Sequence, residues 1–262
     1  MDILNVNNIS VNINEVKILD NISFNVKKGE ILGIIGPNGS GKTTLFKTIS
    51  RILKPETGNI FLYNKNITSY SEKELSKLIS VIPQMINVQF PFTVEEFILM
   101  GRFPHSGRYG YSLDTDYEIV NNVIKNNGID NIRHRRINEL SGGEKQRVII
   151  AQGFAQQTNL MLLDEPTSHL DIYYQVQLLN LLDKYNKECE LTILIILHDL
   201  NLAASYCDRL IMMKEGKIFT QGTIEEVLTY QNIEAVYNTP VIVKENPIIH
   251  KPHVILVTKN LK

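Results

Sequence analysis

The sequence predicts an α/β fold with a mostly parallel core sheet and helices on both sides. Three observations carry this reading. Short runs that suit buried strands, at 30–35, 160–163 and 192–197, alternate with helical stretches at 42–53 and 172–185. A glycine-rich loop joins the first of those runs to its helix. Residues 93–135 break the alternation with a helical, partly polar pattern that reads as an inserted helical subdomain.

In chain order, residues 1–30 read as short alternating strands, Leu4–Asn7 and then Ile22–Val26, the second stopped by Lys27-Lys28-Gly29. Glu30 to Ile35 is the first buried strand, and a helix is expected from Lys42 to about Leu53. Pro55, Thr57 and Gly58 make a turn, and Ile60–Tyr63 and Leu78–Pro83 look like further strands. Turn residues Pro104 to Gly107 interrupt the helical insertion, which is expected at about 85–158. Then follow a helix after Gly143, a strand at Leu160–Leu163, a helix from Ile172 to about Tyr185 and a strand at Thr192–Leu197. The main domain is expected to end near 238. A small extension, 239–262, carries strand-like patches such as Val254–Val257.

Composition excludes several classes. A length of 262 residues suits one domain with a small appendage, and a net charge of −1 argues against a general nucleic-acid surface. The two cysteines, Cys189 and Cys207, form no CxxC pair and read as free thiols of a reducing compartment. Met1-Asp2-Ile3-Leu4-Asn5 lacks the basic start and apolar run of a signal peptide. The longest apolar stretch, around Leu191–Leu197, is far short of the ~20 residues that span a bilayer. Any work at a membrane is therefore expected to go through partners.

Gly36-Pro37-Asn38-Gly39-Ser40-Gly41-Lys42-Thr43 matches the phosphate-loop pattern, with a buried strand before it and a helix after it. Each residue type has its chemistry. Glycines let backbone N–H groups turn around phosphates. The helix N-terminus adds partial positive charge. Lys42 can reach the β- and γ-phosphates, and the Thr43 hydroxyl, followed by Thr44, can ligate Mg²⁺. Kinases, GTPases and helicases share this loop, so the rest of the chain must decide.

Leu160-Met161-Leu162-Leu163-Asp164-Glu165 is an apolar strand whose two acids emerge at the carboxyl end, where open α/β sheets bind ligands. Asp164 suits the Mg²⁺ hydration shell, and Glu165 suits a general base for the attacking water. Leu140-Ser141-Gly142-Gly143-Glu144 reads at its plainest as a helix start capped by Ser141. A helix N-terminus with a serine and bare amides is also an anion site.

Together these motifs resemble the ATP-binding-cassette family, and the resemblance covers nearly the whole chain. It implies a P-loop NTPase cassette with an N-terminal antiparallel β-subdomain, using ATP and Mg²⁺. It also implies that Ser141, Gly142 and Gly143 bind the γ-phosphate of ATP held by a second copy in a head-to-tail dimer. Gln84 fits the glutamine loop that senses Mg²⁺ and touches the permease, and Ser168-His169-Leu170-Asp171 fits the D-loop at the dimer interface. His198 fits the switch histidine on the γ-phosphate. Glu144 stands where the family usually has Gln, a change expected to matter little. Ile13 stands where the family usually stacks an aromatic ring on adenine.

Phe90 to His105, containing Met100-Gly101-Arg102-Phe103-Pro104-His105, is similar to a segment of the importers for iron(III) siderophores, haem and cobalamin. The same stretch also simply completes a helical subdomain. Some molybdate or tungstate importers belong to this class. The resemblance implies an integral permease as partner, an extracytoplasmic solute-binding protein indirectly, and a peripheral place on the cytoplasmic face of the membrane. Competing readings are a non-transport cassette ATPase, which usually carries a long coiled-coil insertion or a second cassette; an exporter cassette, often fused to its membrane domain; and a nucleotide kinase, which would lack Ser141-Gly142-Gly143. His250 and His253 flank Pro252 without a Cys or acid cluster, a poor pattern for a metal site.

Overall fold

The computed structural model describes residues 1–84, 88, 90–107, 113–168 and 170–257. The chain divides into two compact units, one of residues 1–69 with 192 onward, the other of residues 70–191.

The first unit opens with β1 (Asp2–Ile13) and β2 (Val16–Lys27), an antiparallel hairpin. Asn14 and Glu15 make its turn at positive φ, 48° and 66°. Leu4, Val6, Ile9 and Val11 of β1 are all buried, and two-residue periodicity slips by one between Val6 and Ile9, where the pairing register shifts. Each strand is 12 residues long, well beyond the short runs expected from sequence, because bulges let the pairing continue through polar Asn and Ser positions. Buried β3 (Ile31–Ile35) leads through the glycine-rich loop into α1 (Lys42–Ile49). That helix ends earlier than expected: Ser50 bonds back to the Phe46 carbonyl and Arg51 turns left-handed at φ 62°. Strands β4 (Thr57–Leu62) and β5 (Lys65–Asn66) complete an antiparallel sheet of order β2-β1-β4-β5.

The second unit contains α2 (Glu72–Ser76), β6 (Ile79–Ile82), α3 (Val94–Met100), α4 (Leu113–Asn126), α5 (Gly142–Ala155), β7 (Leu160–Asp164) and α6 (Ile172–Cys189). Strands β6 and β7 pair in parallel, Ile79 opposite Leu160. The segment just after α3 is pinned to the end of α5. A Cβ on Gly101 would collide with the Gln152 carbonyl, so only glycine lets the two helices approach this closely. Arg102 is buried, its Nε 2.8 Å from Asp116 Oδ1. Its Nη1 donates to the Ala155 carbonyl at 2.7 Å and to Gln157 Oε1 at 3.0 Å. His105 Nε2 lies 2.8 Å from the Gln156 carbonyl, which fixes Nε2 as the protonated nitrogen of the neutral ring.

The chain returns to the first unit as β8 (Thr192–Ile196), α7 (Leu200–Tyr206), β9 (Arg209–Lys214) and β10 (Lys217–Thr223). There β3 lies between β8 and β9, parallel to both, and β10 closes the edge antiparallel to β9. Helices α8 (Ile224–Val227) and α9 (Tyr230–Tyr237) precede a hairpin of β11 (Val241–Glu245) and β12 (Pro252–Leu256). The Asn201 side chain ties this hairpin to α7 by accepting from Val254 N at 2.7 Å and donating to Val254 O at 3.1 Å. Among the described residues no helix is long and apolar enough to cross a membrane.

Candidate nucleotide site

Within the first unit, the loop 36–41 connects the buried strand β3 to the start of α1. Gly36 holds φ 149°, and a Cβ there would collide with the Met213 carbonyl, so the loop can turn this tightly only with glycine. Lys42 is buried and donates to the carbonyls of Gly36 and Pro37, both at 2.9 Å. The loop thereby wraps around its own lysine.

The N-terminus of α1 has Gly41 as its cap, with no side-chain hydrogen bond. By contrast α2, α3, α5, α6, α7, α8 and α9 each receive a side-chain cap. Ser40 Oγ is buried with no hydrogen-bond partner. An uncapped helix start, an unpartnered buried hydroxyl and an adjacent lysine together fit a polyphosphate. Thr43 and Thr44 follow, both half-buried, on the first turn of α1. His198 stands in the same unit, exposed, just past the end of β8.

The second unit presents the acids. Asp164 closes β7 and is buried. Glu165 follows with a left-handed backbone, φ 50°, an uncommon conformation for a non-glycine residue. Its carbonyl accepts from Ser168 N at 3.1 Å and Ser168 Oγ at 2.8 Å, which fixes the turn. Gln84, exposed beyond β6, donates through Nε2 to Glu165 Oε2 at 2.6 Å. Two residues picked separately from the sequence are thus in direct contact.

Among the described residues no cluster of three or more His, Cys, Asp and Glu could hold a metal. Oxygen donors of the Thr43, Gln84 and Asp164 kind suit Mg²⁺, which takes one or two protein ligands and completes its shell with phosphate and water.

Ser141 caps α5 as expected, and Glu144 brings a carboxylate to that helix start. It closes a capping box with Ser141, and Arg135 Nη1 lies 3.3 Å from its Oε1. Hydrogen bonds from the Ser141 backbone and hydroxyl, and then Arg135 and Arg147, hold the Glu144 carboxyl below its ordinary range. Ser141 and Gly142 are exposed, and Gly143 is half-buried. Asp171 caps α6, accepting from Tyr174 N at 3.0 Å. Within the first unit lie the phosphate loop and His198; within the second lie Gln84, Asp164, Glu165, Ser141 to Gly143 and Asp171. His169 lies outside the described residues. Arg135 was missed from sequence, since a single Arg five positions before the Leu140–Glu144 motif carries no pattern.

A phosphate loop, a strand ending in two acids and a serine-capped glycine helix start define an ATP-binding cassette. The ABC transporter family profile matches residues 19–168. YvrA of Bacillus subtilis, an ABC transporter ATP-binding protein, is 39% identical over 241 residues, which are 92% of this chain and 54% of that protein. The iron(3+)-hydroxamate import ATP-binding protein FhuC of Bacillus subtilis is 37% identical over 252 residues, 96% of this chain and 94% of that protein.

Among solved structures, an inward-facing one assigned to a metal-chelate type ABC transporter superposes with a TM-score of 0.87 at 25% identity, covering 100% of both chains. The dimeric structure of MJ0796, a bacterial ABC transporter cassette, gives 0.74 at 28% identity over 84% of this chain and 98% of that one. The chain belongs to the ABC transporter family, as its ATP-binding and ATP-hydrolysing cassette, with ATP and Mg²⁺ as its ligands.

Proposed function

We propose that this cassette powers import of a metal chelate, of the iron-siderophore, haem or cobalamin type, through a partner permease. It would sit on the cytoplasmic face of the membrane, with an extracytoplasmic binding protein delivering solute to the permease. The observation that carries the reading is the match to FhuC over almost the whole of both chains. The segment 90–105 supports it: Gly101 and Arg102 anchor its end, while Phe90 and Phe103 stay exposed, 66% and 70%, as residues that dock a permease would.

The chemistry follows from the residues. Amides of 36–44 and the Lys42 ammonium hold the triphosphate, while Thr43, Asp164 and Gln84 serve Mg²⁺. Glu165 takes a proton from the attacking water. His198 contacts the γ-phosphate. Ser141, Gly142 and Gly143, with Asp171, complete the site of a second copy, so the working unit is a head-to-tail pair. Gln84 bonded to Glu165 links the loop facing the permease directly to the base.

The test is transport. Reconstituted with its permease and binding protein, the chain should hydrolyse ATP faster when a ferric siderophore or a cobalamin is supplied. Stimulation by molybdate alone would overturn the solute class. Gln84→Ala should lower that stimulation more than the basal rate of the free cassette, and unchanged stimulation would remove Gln84 from the coupling route.

A further inference from the structure

We infer that Arg135 is a positioning residue for the signature serine: it holds the Glu144 carboxylate so that the Ser141 hydroxyl can turn to the γ-phosphate on a second copy. This rests on the proposed role of Ser141 across the dimer.

The conflict that Arg135 resolves lies in one proton. Ser141 N donates to Glu144 Oε2 at 2.9 Å, and Ser141 Oγ donates to the same oxygen at 2.8 Å. Glu144 N returns a bond to Ser141 Oγ at 3.4 Å. A serine hydroxyl has a single O–H, and here it is committed to Glu144. An incoming phosphate needs that O–H, and it meets a carboxylate one turn into the helix. A glutamine at this place would raise no such charge. With Glu144, the carboxylate must give up the serine proton without being left as a bare anion beside the phosphate.

Arg135 supplies the replacement. Its Nη1 already touches the other oxygen of Glu144, Oε1, at 3.3 Å. The guanidinium is itself fixed, because Nη2 donates to the Glu139 carbonyl at 2.7 Å. Its backbone is fixed as well, with Arg135 N bonded to Ile132 O at 2.9 Å and Arg135 O accepting from Val94 N at 3.0 Å. Arg147, the other cation near Glu144, is turned elsewhere, its guanidinium 5.5 Å from the Tyr174 ring centroid. The box itself does not need an arginine. Thr93 with Glu96 and Thr223 with Glu226 form the same capping box, and no ion pair to either glutamate occurs among the described residues. At the α5 start, the one proposed to receive an anion, the glutamate of the box does have a cation beside it.

The test is a double-mutant cycle on steady-state ATPase of the full chain, with folding checked by circular dichroism. Arg135→Ala should lower turnover about 3- to 10-fold when Glu144 is present, and less than about 2-fold in the Glu144→Gln background. Arg135→Lys, which keeps the charge, should recover most of the loss. An equal loss in both backgrounds would overturn the inference and make Arg135 a brace for the Glu139 carbonyl. Ser141→Ala separates the two levels. If it impairs turnover while the cycle shows no coupling, the Arg135 inference fails and the trans-serine reading stands. If Ser141→Ala leaves turnover intact, the trans-serine reading itself fails.

Discussion

Replacing Arg102 with alanine should be among the most damaging single changes away from the nucleotide site. The Arg102 and Asp116 side chains are 6% and 5% exposed, with Nε and Oδ1 2.8 Å apart. The same guanidinium satisfies the Ala155 carbonyl, where α5 ends, and the Gln157 amide oxygen. Alanine leaves a buried carboxylate without its cation and a helix-end carbonyl without its donor. Breaking one side of a buried pair costs about 3–5 kcal/mol. At roughly 2–4 °C per kcal/mol for a chain of this size, the melting point should fall by about 6–20 °C. Urea unfolding followed by circular dichroism reads the free energy directly. A matched apolar pair, Arg102→Met with Asp116→Leu, should recover most of it, because two desolvated charges are removed together. A loss under about 1 kcal/mol for Arg102→Ala, or a double variant no better than the single one, would refute the reasoning.

Other consequences follow from single residues. Ile13, at the end of β1 and 38% exposed, offers apolar contact but no π-face. GTP should bind nearly as well as ATP, and Ile13→Tyr should tighten ATP by part of the ~1–3 kcal/mol that base stacking gives elsewhere; strong ATP preference in the unmodified chain would sink this. Cys207 is buried and its thiol is pushed up to about 12 by that burial, whereas Cys189 is exposed. A chromogenic disulfide should titrate one thiol in the native protein and the second only in denaturant; two fast equivalents would contradict the burial. Burial holds the His105 pKa below its ordinary value, against the Gln156 carbonyl that favours the charged ring. Between the folded value and about 6.5 the unfolded chain binds more protons, so stability should fall as pH drops through that window. His105→Gln should flatten the slope of urea midpoints taken from about pH 8 to pH 5, and an unchanged slope would exclude His105 as its source.

The sequence disclosed most where chemistry restricts residue type at fixed spacing. The loop 36–43, the acids at the end of β7 and the capped start of α5 were each legible because few residue types fit such positions. Strand ends were not. The β1 and β2 pairing runs through Asn and Ser positions that break alternation, and α1 stops at a local Ser50 bond that no periodicity announces. Residues 199–238 yielded no elements from sequence. There β10 alternates between half-buried and exposed positions, and α7, α8 and α9 are four to eight residues long, too short for a clear helical period.

Contacts between distant positions were also out of reach. Gln84 meets Glu165 across 81 positions, and nothing local to either residue signals it. The surroundings of Glu144 were out of reach for a related reason. The S-x-x-E capping box is readable in the sequence, but the Arg135 guanidinium beside its glutamate is visible only in the structure.

The proposed ATP-sandwich pair, in which Ser141 of one copy completes the phosphate loop of the other, is open to one direct measurement. Glu165→Gln keeps the shape of the base but cannot take the proton, a loss worth about 10²–10⁴ in rate, so bound ATP should persist. Light scattering on a sizing column should then give a doubled mass with MgATP, the monomer mass with MgADP, and the monomer mass again when Ser141→Arg is added. A Glu165→Gln chain that binds MgATP yet stays monomeric at every protein concentration would contradict the paired site.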